Sequence, residues 1–305
     1  MTSNRWRSPF PLNIAHQGGE NELPGNTLYA LKEAQKAGVD MFKLDLGVSK
    51  DDQLVLFHDP VLDFRTESTG AVNSYTLEEL RRFDNAYWFS HAQPGHQHFY
   101  SRDKSPENYI LRGVATGQQE PPEGYLPADF GICTLAEVLA SFPDMPLVLD
   151  IKARSEQGLE EEYFASARLL AQELAEAPHG QIIVSSFSQP TVDLLHSLMP
   201  DLALAPGPDG IVAFLTAVSA TPGDGVAAIS APITWDLNGT VIEVACSQFV
   251  DQTHDAGYAW YAWFDDRDPD NPIGWQKLVQ LGVDAIVTSS PIALASFLNG
   301  LKGDL

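Results

Sequence analysis

The sequence predicts a single (β/α)8 barrel with a small insertion after the second strand, and three observations carry that prediction. Short β-type runs alternate with amphipathic helical patterns along a chain of 305 residues, a length that α/β barrels often fill as one domain. Eight such runs can be counted. Polar residues gather at the C-terminal ends of several of them, where this architecture places its chemistry. A doubly wound open sheet is the runner-up, but no G-x-G-x-x-G loop follows the first run.

Taken in order, the strands are expected at 12–16 (LNIAH), 41–48 (MFKLDLGV), 146–153 (PLVLDIKA), 181–187 (QIIVSSF), 202–206 (LALAP), 226–232 (VAAISAP), 258–264 (YAWYAWF) and 284–290 (DAIVTSS). The helix "NTLYALKEAQKAG" follows the first strand, with Asn26 as its expected N-cap and Gly38 as its stop. Amphipathic stretches recur at "LEEEYFASARLLAQELAEA", "QPTVDLLHSLMP", "DGIVAFLTAVS", "SQFVDQTHDAG", "IGWQKLVQLG" and "PIALASFLNG". Residues 60–133 are too long for a βα loop. They follow an additional strand at 54–59 (LVLFHD), contain a short helix at 76–83, and continue as a Pro-, Gly-, His- and aromatic-rich stretch. This insertion is expected to lie over the barrel mouth, facing substrate.

Apolar residues make up 44% of the chain, enough for a full core. The formal charge of −23 repels nucleic acid and anionic lipid at long range. Two cysteines, Cys133 and Cys246, do not make a disulfide framework. No apolar h-region opens the chain and no 18-residue apolar run occurs in it. The expectation is a soluble, cytoplasmic protein without a membrane span, acting on a small molecule.

Four polar clusters fall at strand ends. His16 closes the first strand, and Lys43 and Asp45 share a face of the second. His58 and Asp59 close the returning strand, and Asp150 and Lys152 share a face of the third. Period-2 geometry makes each i, i+2 pair converge on the barrel axis. Charges inside a strand are costly unless they meet partners or substrate. Two histidines and a lysine suit cleavage of a phosphodiester. Imidazole can take a proton from the attacking oxygen or return one to the leaving oxygen. An ammonium group stabilises charge on the phosphoryl oxygens, and carboxylates would hold a hard divalent cation that does the same.

The ordered set "NIAHQGG…LPGNTLYALKEA…AGVDMFKLDLGVSKDDQLVLFHD", with "TLAEVLASFPDMPLVLDIK", "VSSF" and "LGVDAIVTSSP", resembles the glycerophosphodiester phosphodiesterase family over about residues 12–298. The Asp150-x-Lys152 form after "FPDMP" also resembles the lysophospholipase-D-like branch. The resemblance implies a TIM barrel that hydrolyses glycerophosphodiesters, or lysophospholipids, to a phosphomonoester and an alcohol. It implies His16 and His58 as the acid–base pair, Lys152 on the phosphate, and Asp45 and Asp150 as ligands of Mg²⁺ or Ca²⁺. Gln17, Lys43 and Trp263 are the expected substrate contacts.

Three residues depart from the family pattern. Gln17 stands where the family has arginine, Gly25 where it has glutamate, and Lys43 where it has a metal-ligating glutamate. An ammonium 4 Å from a unit positive charge costs about 4 kcal/mol at an effective dielectric of 20. Three readings of Lys43 follow. The metal is weak or takes substitute ligands such as Asp129 or Glu123; the ammonium stands in the metal's place, paired with Asp45 and Asp150; or catalysis is lost and the chain binds a phosphoester or a partner. Tyr261 and Trp263 are candidates for a pocket wall or for core packing, "HQH" at 96–98 for a solvated loop rather than a metal site since it lacks a third ligand at usable spacing, "AYWF" at 86–89 for packing or pocket lining, and Ser186 and Phe187 for site or core.

Overall fold

The computed structural model describes residues 4–91, 102–155, 157–177, 179–237, 239–265 and 267–303. The barrel is built from β1 (Leu12–His16), β2 (Met41–Val48), β4 (Leu147–Ile151), β5 (Ile182–Ser186), β6 (Ala203–Leu204), β7 (Ala228–Pro232), β10 (Ala259–Trp263) and β11 (Ala285–Thr288). These eight strands run parallel in the order β6-β5-β4-β2-β1-β11-β10-β7. The ring closes between β6 and β7 through a single parallel bridge, Leu204 to Val226. The expected strand positions hold: β1 and β2 match in full, and the other six are shorter by one or two residues at one or both ends. Strand β3 (Leu54–Leu56) returns antiparallel on β2.

Parity fills the barrel in two layers. Ile14, Met41, Val148, Ile183, Tyr261 and Ala285 form a buried lower layer, which Trp6 closes from below. Two residues further along the same strands stand His16, Lys43, Asp150, Ser185, Trp263 and Val287. An apolar floor thus lies directly beneath an upper polar layer, as alternation on a strand requires. Tyr261 belongs to the floor, not to a substrate wall: it is 1% exposed and its hydroxyl donates to the Trp6 carbonyl at 3.1 Å.

The helices α1 (Leu28–Lys36), α3 (Leu135–Ser141), α4 (Glu160–Glu176) and α5 (Gln189–Leu198) cover β1, β2, β4 and β5 in one core. A second core joins α6 (Pro208–Leu215), α7 (Ser247–Asp255), α8 (Pro272–Leu281) and α9 (Pro291–Gly303) to β7, β10 and β11. Caps set the boundaries. Thr27, not Asn26, caps α1: its hydroxyl accepts from the Ala30 amide at 3.1 Å, while Asn26 takes a left-handed backbone. Thr134 and Glu137 form a capping box on α3.

The segment between β3 and β4 makes short 3-10 turns and α2 (Leu77–Leu80). Its described residues pack into two small apolar clusters, one on Val55 and Phe57, the other around Phe89 and Phe130 against Tyr29 of α1. Ala86 and Phe89 of "AYWF" are buried there. The stretch "HQH" lies outside the described residues. A hairpin, β8 (Thr234–Leu237) and β9 (Thr240–Glu243), follows β7 and was not anticipated. Its sequence signal is the Asn-Gly pair in "DLNGTV". Among the described residues no helix is long and apolar enough to cross a membrane.

Candidate active site

A cavity of about 490 Å³ opens at the C-terminal ends of the strands. One side is ionic, with His16, Lys43, His58, Arg65, Asp150 and Lys152; the other is mostly apolar, with Phe187, Pro206, Ile211, Pro232, Trp235 and Trp263, and carries Asp265, Arg267 and Asp270 beyond β10. All the residues expected at the site from the sequence converge on this cavity, with Asp45 fully buried directly behind it. Of the described residues in the segment expected to cover the mouth, Arg65 lines the cavity and no later one does.

Register explains the ionic side. Asp45 and Asp150 are paired across β2 and β4, and Lys43 is paired with His16 across β2 and β1. The Lys43 ammonium lies 3.3 Å from Asp150 Oδ2 and 3.7 Å from Asp45 Oδ1. The Lys152 ammonium lies 2.7 Å from Asp150 Oδ2 and 3.3 Å from Asp45 Oδ1. Ser185, one strand over, donates to Asp150 Oδ1 at 3.1 Å. Burial alone would raise the Asp45 carboxyl, but Lys152 and Lys43 hold it well below the usual carboxylate range. The same balance lowers Asp150. Burial would lower the Lys152 ammonium, yet Asp150 and Asp45 outweigh it and raise it. The result is a buried cage of two carboxylates and two ammonium groups, formally neutral.

Such a cage bears directly on a divalent cation. The carboxylates have the right donor chemistry, but each already has two ammonium groups within 4 Å. Among the described residues no group of three His, Cys, Asp or Glu is arranged to hold a metal ion. Asp129 pairs with Lys32 at 2.6 Å instead, and Glu123 is exposed. As arranged, the residues do not fit a divalent cation.

Each histidine has a carboxylate on its Nδ1. His16 Nδ1 is 3.1 Å from Glu20 Oε1 and 3.3 Å from the Ser289 hydroxyl; its Nε2 lies 3.8 Å from Asp45 Oδ2. Burial lowers the His16 imidazole to about 4, against the raising effect of Glu20. His58 Nδ1 is 3.2 Å from Asp59 Oδ1. Burial would raise the Asp59 carboxyl, but His58 and Arg65 bring it below its ordinary value.

Gln17 and Gly25 prove to be one joint departure. Gln17 sits in the left-handed region (φ 55°), where a non-glycine residue stores strain. Its amide donates to the Lys43 carbonyl at 2.7 Å, and its side-chain Oε1 accepts from Arg65 Nη2 at 2.6 Å and Asn26 Nδ2 at 3.1 Å. A Cβ at position 25 would stand 2.9 Å from that Oε1, so glycine there makes room for the carboxamide. Gln17 lines the cavity with its oxygen already engaged. Glu20, Arg65 and Ser185 were not foreseen. Glu20 carried one legible signal, its i+4 spacing from His16 across a Gly-Gly turn; Arg65 carried none.

The family model for the glycerophosphoryl diester phosphodiesterase family matches residues 16–293. A glycerophosphodiester phosphodiesterase of Bacillus subtilis is 29% identical over 193 residues, 63% of this chain and 57% of that one. One of Caldanaerobacter subterraneus is 38% identical over 84 residues, 28% of this chain and 35% of that one. The chain thus aligns with little more than half of the first relative and about a third of the second. An Oleispira antarctica phosphodiesterase, solved in complex with its product sn-glycerol-3-phosphate, superposes with a TM-score of 0.65 at 20% identity, over 95% of this chain and 97% of that one. The glycerophosphodiester phosphodiesterase of Agrobacterium tumefaciens gives 0.64 at 17% identity, over 94% and 99%. At these identities the structures speak for the shared TIM-barrel fold, and the family match rests on the sequence. The chain belongs to the glycerophosphoryl diester phosphodiesterase family.

Proposed function

We propose that the chain hydrolyses a glycerophosphodiester to glycerol 3-phosphate and an alcohol, with the ammonium groups of Lys43 and Lys152 standing where a divalent cation would otherwise act. The observation that carries this reading is the neutral cage, in which two ammonium groups hold Asp45 and Asp150 and border the cavity.

In this reading the phosphoryl oxygens lie against Lys43 and Lys152, whose positive charge is fixed before substrate arrives. Preorganised charge of this kind stabilises a phosphorane-like transition state without reorganisation. His16 and His58 hold their Nδ1 atoms against carboxylates, which directs the opposite nitrogen, Nε2, to the reaction; that of His16 lies 3.8 Å from Asp45 Oδ2. One Nε2 takes the proton of an attacking water as its oxygen bonds to phosphorus. The other delivers a proton to the alkoxide as the P–O bond to the alcohol breaks. Water and diester become monoester and alcohol, and the pair of imidazoles ends with its protons exchanged. The apolar face of Phe187, Ile211, Trp235 and Trp263 supports an alcohol or lysophospholipid group with substantial apolar surface.

The test is turnover of glycerophosphocholine and a lysophospholipid by purified protein before and after exhaustive chelation. Retained activity is expected. Activity that vanishes with EDTA and returns with Mg²⁺ or Ca²⁺ would overturn the ammonium assignment. No turnover over a broad panel of diesters would overturn the hydrolase reading and leave phosphoester binding.

A further inference from the structure

Arg65 arrives from outside the barrel. It follows the 3-10 turn Leu62–Phe64 beyond β3 and is 4% exposed at the cavity wall. Its Nη2 donates to Glu20 Oε2 at 3.0 Å, and its Nε lies 3.7 Å from Asp59 Oδ2. Glu20 and Asp59 use their other oxygens on His16 Nδ1 and His58 Nδ1. One guanidinium therefore stands between the two carboxylates that hold the two histidines. Gln17 Oε1 at 2.6 Å and the Gly25 carbonyl at 3.4 Å fix it from the β1 side.

We propose that Arg65 is a positioning residue that sets the tautomer and orientation of both His16 and His58 at once, through Glu20 and Asp59. This rests on the acid–base roles proposed above for the two histidines. The chemistry follows from the fork. A planar guanidinium can engage two carboxylates at fixed angles, which an ammonium cannot. Glu20 is hydrogen-bonded to the guanidinium and Asp59 faces its Nε as an ion pair at 3.7 Å; each carboxylate so placed accepts Nδ1–H, which leaves Nε2 unprotonated or reactive toward the cavity. Without the guanidinium, Glu20 loses the ion pair at its Oε2, and the carboxylate behind His16 Nδ1 loses that part of its fixed orientation. Asp59 is freed with it. The two imidazoles then lose their shared frame although neither is touched.

The experiment uses full-length protein labelled with ¹⁵N-histidine, as wild type and as R65Q, R65K, E20Q and D59N. Long-range ¹H–¹⁵N spectra at neutral pH should show His16 and His58 as fixed Nδ1–H forms in the wild type. E20Q should release His16 alone and D59N His58 alone. R65Q should release both, with the remaining histidines unmoved. R65K, which keeps the charge but not the fork, should release at least one. In turnover, R65Q should lower kcat roughly 10- to 100-fold, the scale on which partners behind reacting groups act, with KM within about twofold. Both ring signatures unchanged in R65Q and R65K would overturn the proposal. So would a loss seen only in KM, which would mark Arg65 as a substrate contact. If the wild type turns nothing over, the hydrolase reading fails while the spectra still decide the role of Arg65. If R65Q does not fold, R65K and the two carboxylate variants carry the same comparison.

Discussion

Replacing Lys43 by glutamate should turn the cage into a divalent metal site. In the wild type the Lys43 ammonium stands 3.3 Å and 3.7 Å from the two carboxylates a metal would need. At an effective dielectric of 20 those attractions amount to about 5 and 4.5 kcal/mol. A dication seated between Asp45 and Asp150 would lie about 4 Å from that ammonium, a repulsion of about 8 kcal/mol on the same footing. K43E removes the repulsion and supplies a third carboxylate, while Lys152 stays. Even if movement of the lysine and solvent screening cancel half of this, about 4 kcal/mol remains, or three powers of ten in affinity. Titration calorimetry with Mg²⁺, Ca²⁺ and Mn²⁺ on wild type and K43E measures the difference directly. In parallel, K43E turnover should become sensitive to chelator. A gain in affinity below tenfold would refute the argument, because it would mean that Lys43 does not occupy the space or the field of the ion.

Other outcomes follow from the same coordinates. K43M leaves two buried carboxylates to Lys152 alone and should cost about 3 kcal/mol in urea unfolding, the low end for breaking a buried ion pair. H58N should lower kcat by about 10²–10⁴ with little change in KM, measured on glycerophosphocholine. Burial pushes the Asp84 carboxyl up to about 6, against amide donations from Gly113 and Ala86. A carboxyl raised on folding stabilises most below its unfolded value, near 3.8, and loses that contribution as pH rises through about 6. The amides of Gly113 and Ala86 should therefore exchange faster at pH 7 than expected from base catalysis alone, with slower opening at pH 4.5. T134A removes the capping hydroxyl of α3 and should lower stability by about 1 kcal/mol in thermal unfolding.

Most of the barrel was legible because its signals are local. Apolar runs of four to eight residues bounded by turns mark strands whatever surrounds them, and strand parity alone put Lys43, Asp45, Asp150 and Lys152 inside. The placement of His16 and His58 followed from strand ends. What stayed hidden depends on contacts remote in sequence. Arg65 is separated from Glu20 and Gln17 by a helix, the β2–β3 hairpin and a 3-10 turn, and no spacing rule links them. The exchange of a glutamate side chain at 25 for a carboxamide at 17 is visible only once their closest approach is known. Tyr261 stayed open between pocket wall and core because "YAWYAWF" is compatible with both; its height on the strand puts it in the core, one layer below the pocket. The segment after β3 was read as a cover from its composition; of its described residues only Arg65 lines the cavity, and residues 92–101 lie outside the described residues.

The barrel is stitched unevenly, and that has a consequence for what it can accept. Between β1, β2, β4 and β5 the ladders run three to five residues long, whereas β6 is two residues and meets the β7 side through one bridge. Pro206, Pro208 and Ile211 of the apolar wall follow directly on β6. The ionic wall thus stands on fully laddered strands, whereas the apolar wall has full ladders under Phe187, Pro232 and Trp263 but a weak seam under Pro206, Pro208 and Ile211. A cylinder built this way holds one moiety in a fixed geometry and yields around the other. Tolerance should accordingly be narrow for the phosphoryl group and wide for the organic group it carries.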